Sequence, residues 1–380
     1  MPAPSHDQII DALRPVEDPE LHRSIVDLDM VRDVRVGDDG NVSVLIALTV
    51  AGCPLRNEIQ NRVGAAVTQV PGVTGYSLDF TVMTEQEREA LRAKLGGHSH
   101  AAPSGGHGHA EGKAVPFNEP GNKTRPLLIS SGKGGVGKSS VTVNLAVALA
   151  SQGYKVGIVD ADIYGYSVPR MLGADRDPVV IDDMLIPPAN HGVTCMSIGY
   201  FVPEGQAIIW RGPMLHKALE QFLADVFWDD PDFLLIDMPP GTGDIALSLS
   251  QYLPRGEVYV VTTPQPAAQK VASLSAAMAA KVNLPVKGII ENMSWFTGDD
   301  GKQYEIFGAG GGQELADELG VPLLGKLPLV AALREGGDSG VPITIADPSS
   351  ELAQAFQEIA HRIATELKPR KIFSSALKVN

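Results

Sequence analysis

Cysteine is nearly missing from this chain: 380 residues carry only Cys53 and Cys195. Two thiols exclude a disulfide framework, a zinc-finger array and an iron–sulfur cluster held by four cysteines of one chain. Long apolar runs are also missing, and none approaches the ~18 residues a membrane helix needs. The opening MPAPSHDQII has no basic stretch followed by an apolar one. The expectation is therefore no signal peptide, no membrane contact and a reducing, cytoplasmic placement. Positive charge is in deficit, with 31 Lys+Arg against 45 Asp+Glu and a formal net charge of −14. That balance argues against a bulk electrostatic partner such as nucleic acid. Apolar residues, at 44%, are as frequent as in an ordinary globular protein, and at about 150 residues per domain the length suggests two or three domains.

Composition divides the chain. Residues 96–112 read GGHSHAAPSGGHGHAEG, with nothing apolar larger than alanine, too little to offset the entropy of ordering. This predicts a flexible His/Gly-rich linker over 96–124, between a small α+β domain at 1–95 and an α/β domain at 125–370, with a short tail at 371–380. In the first domain Ser5 and Gln8 can box a helix start. Val42, Val44, Ile46, Leu48 and Val50 alternate as in a half-buried strand. Leu55, Ile59, Val63 and Val67 recur at helical spacing, and Pro54 at the first helical position would make Cys53 the helix cap. In the larger domain β-like runs at 127–130, 155–162, 233–238, 258–263 and 286–292 alternate with helical patterns, which predicts a mostly parallel sheet clothed by helices. Ligands of such sheets bind at the carboxyl ends of the strands.

At the first of those ends lies Gly132-Lys133-Gly134-Gly135-Val136-Gly137-Lys138-Ser139, with Ser140 opening the helix behind it. This is G-x-x-x-x-G-K-[ST] between strand and helix, the setting the phosphate-binding motif requires. Glycines let backbone N–H groups converge on phosphate oxygens, aided by the helix N-terminus. Lys138 would reach the β- and γ-phosphates of ATP, and the Ser139 hydroxyl would ligate Mg²⁺. Two further strand ends carry carboxylates. Asp237 closes FLLID, the expected partner of the Mg²⁺ shell, ahead of a switch-like loop at 238–244. Asp160 and Asp162 close VDAD, spaced to point the same way. Asn292 ends the strand from Val286 and offers one donor and one acceptor, a pair able to read the adenine edge.

KGGVGKS resembles the deviant phosphate loop of the MinD/ParA/nitrogenase-iron-protein class. That resemblance implies that Lys133 reaches across a homodimer to the partner's nucleotide, that Asp162 orients the attacking water with Asp160 in support at the metal, and that Asn292 contacts the base. The strings DADIYGYSVPRMLG (160–173), WRGPMLHKALEQFL (210–223), LLIDMPPGTGD (234–244), TTPQPAAQKVA (262–272), GIIENMSWF (288–296) and LGKLPLVAALREGGDSGVPI (324–343) are together similar to the Mrp/ApbC family of iron–sulfur cluster carrier ATPases. TVAGCPLR (49–56) resembles the small iron–sulfur-assembly domain often fused to them. The resemblance implies an ATP-driven homodimer that passes clusters to apoprotein clients and meets iron–sulfur assembly proteins. The family's Cys-x-x-Cys pair has no counterpart in ENMSWFTGDDGKQYEIFGAGGG (291–312). Cys53 is then the candidate thiol ligand, because Cys195 sits in an apolar strand and reads as core. His98, His100, His107 and His109 could hold a metal ion, which keeps a metallochaperone open as an alternative. So does a MinD/ParA-like switch that binds proteins and moves no metal.

Overall fold

The computed structural model describes residues 3–50, 55–95, 114–119, 121–163, 165–182, 184–202, 212–241 and 244–370. It forms two compact units, Met1–His109 with Val179–Ile186, and Ala110–Pro178 with Pro187–Asn380.

In the first unit Ser5 and Gln8 close the expected capping box on α1 (His6–Leu13). β1 (Val31–Val36) and β2 (Asn41–Leu48) pair antiparallel around a turn in which the Gly40 N–H donates to the Gly37 carbonyl. A φ of +79° at Gly40 explains the glycine there. β2 buries Val42, Val44, Ile46 and Leu48 as alternation predicts, but ends before Val50. α2 (Arg56–Thr68) buries Ile59, Val63 and Val67. Its cap is Leu55, whose carbonyl accepts the first helical bond from Ile59. The expectation of Cys53 as the cap is therefore corrected; Cys53 and Pro54 themselves lie outside the described residues. β3 (Gly75–Val82) then runs parallel to β2 over all eight residues, and α3 (Glu85–Lys94) follows behind a Thr84–Glu87 capping box.

The second unit begins earlier than the linker reading allowed. Val115 and Phe117 are buried. The Arg255 guanidinium donates to the carbonyls of Phe117 and Asn122, and the Asn118 amide donates to the Tyr252 carbonyl. Three apolar or capping side chains thus draw 114–119 and 121–124 onto the unit; the histidines of 98–109 and the tail at 371–380 lie outside the described residues. In chain order come β4 (Arg125–Ser131), α4 (Lys138–Ser151), β5 (Val156–Asp160), α5 (Val168–Leu172), then β6 (Val179–Ile181) and β7 (Met184–Ile186), which belong to the first unit, and β8 (Ala189–Asn190) and β9 (Val193–Ser197). Next come α6 (Gly212–Ala224), β10 (Phe233–Asp237), α7 (Asp244–Tyr252), β11 (Glu257–Thr262), α8 (Pro266–Lys281) and β12 (Val286–Glu291). β13 (Phe296–Thr297), β14 (Gln303–Tyr304), α9 (Gly311–Leu319), β15 (Leu323–Lys326), α10 (Ala331–Ser339), α11 (Ile343–Ala346) and α12 (Glu351–His361) complete the chain.

Eight strands form one sheet in the order β15-β12-β11-β4-β10-β5-β9-β8, parallel except at β8–β9. Every residue of β4, β5, β10 and β11 is buried. Successive residues face opposite sides, so both faces of the sheet are covered, as a parallel sheet requires. Cys195 is fully buried in β9, and burial pushes its thiol well above the ordinary range. No described helix is long and apolar enough to cross a membrane.

Candidate nucleotide site

Register brings the chemistry together. Asp237 on β10 pairs with Asp160 on β5 and with Ile129 on β4, and Asp160 pairs with Ser197 on β9. Neighbouring strands of a parallel sheet therefore deliver two carboxylates and a hydroxyl beside the point where β4 opens into the glycine loop.

The loop is shaped by backbone. Gly135 and Gly137 take φ of +80° and +81°, values L side chains rarely adopt. A Cβ on Gly134 or Gly135 would meet nothing within 4 Å, whereas one on Gly132 would lie 2.3 Å from the backbone of Val271 and Ala272. The loop is thus pressed onto α8 at its base and open at its rim, a concavity lined by backbone N–H groups at the N-terminus of α4.

Asp237 is the hub. It is fully buried, where an unpaired carboxylate would be costly. Its Oδ2 accepts from Lys138 Nζ at 2.7 Å and from Ser139 Oγ at 2.6 Å, and its Oδ1 from Thr142 Oγ1 at 2.6 Å. Lys138 is also buried and stands 3.7 Å from Asp162 Oδ2. Asp162 is only half-buried; loss of solvent raises its carboxyl pKa, against the pull of the Lys138 ammonium.

Asp160, expected in support at the metal, is held by protein donors. Its Oδ1 accepts from the Asp162 N–H, and its Oδ2 accepts from the Val168 N–H at the start of α5 and from Ser197 Oγ. Burial first, and the Asp237 charge second, raise its carboxyl pKa. Those donors tie the turn carrying Asp162 and the entry to α5 to this carboxyl. The two carboxylates of VDAD are therefore not equivalent, although their spacing made them look so.

Asn292 is buried beneath the loop. Its Nδ2 donates to the Val136 carbonyl at 2.9 Å, while its Oδ1 has no partner. A Cβ on Gly137 would stand 2.3 Å from that Nδ2, so glycine is needed there for close approach as well as for φ. Met293, next in the chain, holds φ of +57°. Lys133 Nζ donates to Gln265 Oε1 at 3.1 Å, at the cap of α8 in the same chain. Ser140 lends its carbonyl to Asn144 Nδ2. Of the switch-like loop, the Met238 and Gly241 N–H groups bond the carbonyls of Ile129 and Ser131; Thr242 and Gly243 lie outside the described residues. Thr142, Ser197 and Gln265 were missed in the sequence reading. Thr142 alone had a usable signal, one helical turn beyond Lys138 on the same face.

For a divalent cation the donor set is a hydroxyl and a carboxylate, Ser139 and Asp237, hard oxygens of the kind Mg²⁺ takes. Among the described residues no group of three or more His, Cys, Asp or Glu is gathered to hold a metal. An open glycine cradle, a buried lysine and a hydroxyl–carboxylate pair at the end of a parallel strand define a P-loop nucleotide-binding domain. Residues 122–364 match the family model described as NUBPL iron-transfer P-loop NTPase, and residues 6–77 match one described as iron-sulfur cluster assembly protein. A curated protein of Mycobacterium tuberculosis called iron-sulfur cluster carrier protein is 45% identical over 93% of this chain and 92% of its own. One of the same name from Synechocystis is 42% identical over 94% and 96%. Among solved structures, a nucleotide-binding protein of Archaeoglobus fulgidus in complex with ADP aligns with a TM-score of 0.52 and 33% identity, over 62% of this chain and 93% of that one. The cell division ATPase MinD of Pyrococcus furiosus aligns with a TM-score of 0.50 and 26% identity, over 63% and 98%. The chain belongs to the NUBPL iron-transfer family of P-loop NTPases, with those carrier proteins as relatives.

Proposed function

We propose that the chain is an ATP-binding and ATP-hydrolysing carrier of iron–sulfur clusters. It works as a nucleotide-gated homodimer in the cytoplasm and transfers cargo to apoprotein clients, in contact with iron–sulfur assembly proteins and without nucleic acid or membrane. The observation that carries this reading is the Lys138–Ser139–Asp237 set in a chain of this family. The division of labour follows the ranges read above: an assembly-type domain at 1–95, a linker at 96–124, the ATPase at 125–370 and a tail at 371–380.

The residues act as follows. Backbone N–H groups of Gly132 to Ser140 bind the phosphates. Lys138 turns from Asp237 to the β- and γ-phosphoryl oxygens, a move of one flexible side chain already desolvated in its seat. Ser139 and Asp237 would hold Mg²⁺, which when bound neutralises charge between those phosphates. Asp162, whose carboxyl pKa is raised by loss of solvent, orients the attacking water and is suited to take its proton. Asn292 offers its unpaired Oδ1 to the adenine amino group while its Nδ2 holds the loop. Lys133 leaves Gln265 and reaches the nucleotide of the second subunit. Cys53 supplies a thiolate for the cargo, with the other ligands coming from the partner copy or the client.

Anaerobic purification and reconstitution of wild type and Cys53→Ala, with iron and sulfide analysis with and without ATP, tests the reading. Cluster bound by wild type and lost in Cys53→Ala is the expected result; no iron or sulfide on either protein overturns direct carriage. One observation favours a second reading, a nucleotide switch that binds proteins and moves no metal. The segment after Asn292 carries no cysteine and instead exposes Phe296, Tyr304 and Ile306. ATP-dependent protein binding without metal in the same preparations would select it.

A further inference from the structure

Asp237 receives three protein donors, of which two are hydroxyls, and only one of those belongs to the recognisable motif. Thr142 sits one turn beyond Lys138 on α4 and is fully buried. Its Oγ1 lies 2.6 Å from Asp237 Oδ1 and 3.0 Å from the Lys138 carbonyl. A hydroxyl has one proton to give. The shorter, charge-assisted bond to the carboxylate takes it, while the contact to the carbonyl one turn back fixes the side-chain rotamer. The two oxygens of Asp237 are thereby told apart: Oδ1 is held by Thr142 and Oδ2 is turned to Lys138 and Ser139.

We infer that Thr142 is a positioning residue for the magnesium ion of this ATPase. It clamps Asp237 so that Oδ2 stays aimed at Ser139 when Lys138 leaves for the phosphates. The inference rests on the proposed nucleotide chemistry of the site and deepens it. In the structure Lys138, Ser139 and Thr142 share the work of satisfying a fully buried carboxylate. Once Lys138 turns away, Oδ2 keeps only the Ser139 hydroxyl, and Thr142 on Oδ1 remains the side-chain donor outside the motif. Without it no side-chain donor fixes Oδ1, and the carboxylate loses the contact that sets its rotation about the Cβ–Cγ bond. The requirement is for a hydroxyl, not merely for volume, because valine has the shape of threonine and no proton to donate.

The test is equilibrium binding of ADP to the full-length protein, read by titration calorimetry across a range of Mg²⁺ concentrations and in EDTA. Thr142→Val is expected to raise the Mg²⁺ concentration that half-saturates the Mg²⁺-dependent gain in ADP affinity by about tenfold or more, the size of a lost hydrogen bond to a charged group. ADP affinity in EDTA should stay within about twofold, because the phosphate cradle is intact, and Thr142→Ser should return the half-saturation point to within about twofold of wild type. If valine does not fold at this site, Thr142→Ala against Thr142→Ser gives the same contrast. A half-saturation point unchanged by loss of the hydroxyl overturns the inference, as does an equal weakening in EDTA and in Mg²⁺, the signature of a merely structural role. Wild type that binds ADP with no Mg²⁺ dependence overturns the reading of the site itself, a result distinguishable from either.

Discussion

Two strand-end loops of the same sheet behave in opposite ways. The loop after β4 is open at its rim but anchored at three points: by α8 at Gly132, by Asn292 at Val136 and by Asp237 at Lys138. The segment after β12 begins just as firmly. The buried Glu291 carboxylate accepts from Ser294 Oγ and the Gly312 N–H. Between those two anchors the chain leaves the core as the small β13–β14 hairpin and turns Phe296, Tyr304 and Ile306 outward, at 39%, 48% and 59% exposure. Phosphoryl transfer needs preorganised charge, which has to be buried and fully hydrogen-bonded before substrate arrives. A surface that passes cargo or meets a client needs accessible side chains instead. The chain keeps the first requirement complete, and after β12 it exposes apolar groups.

The sharpest way to break that contrast is at Lys138. Lys138→Ala should lower ATP hydrolysis by about two to three orders of magnitude, measured as phosphate release. It should also leave Asp237 buried with two donors in place of three. Retained turnover would mean that the buried cluster is scaffolding only. Asp162→Asn comes next. It removes the base but no contact of the phosphate cradle, so hydrolysis should fall by about two orders of magnitude with nucleotide affinity nearly unchanged. Equal losses in both quantities would make Asp162 a binding group. Lys133→Ala addresses the one loop residue whose partner lies at α8. Nucleotide binding should persist and hydrolysis should fall about tenfold or more; turnover at the wild-type rate would remove the cross-subunit role.

The same contrast explains what was legible in the sequence. The glycine loop, Lys138, Ser139 and Asp237 could be read directly because each is fixed by a chemical need that leaves a local pattern. The strands β4, β5, β10, β11 and β12 were likewise visible as apolar runs. The hydrogen bonds of Asp160 could not be read, because the spacing of VDAD says where two side chains point and nothing of the Val168 N–H at the start of α5 that donates to one of them. The cap of α2 was misjudged because Pro54 is a good first helical residue, yet the helix begins at Arg56 with no side-chain cap at all. β3 carried its signal in Tyr76, Leu78, Phe80 and Val82, but none of these is buried, and its parallel pairing with β2 is a long-range fact. The Ser197 hydroxyl was invisible for the same reason, since its partner is 37 residues away, whereas Thr142 left a signal in its place one turn beyond Lys138 although its partner is 95 residues away.

The smallest expected effect is the most discriminating for the hairpin. Phe296→Ser and Ile306→Ser remove exposed apolar surface from a segment whose anchors, Glu291 with Ser294 and Gly312, stay in place. Surface changes of this kind shift stability by no more than about 0.5 kcal/mol, so the melting temperature should move by only a degree or two and ATP hydrolysis by less than about twofold. A large fall in either would mean that the hairpin packs as part of the nucleotide machinery, and the two loops would then be one device. Unchanged ATPase together with weakened capture of apoprotein or partner would separate them, leaving the phosphate loop as the motor and the outward-facing hairpin as the part that meets other proteins.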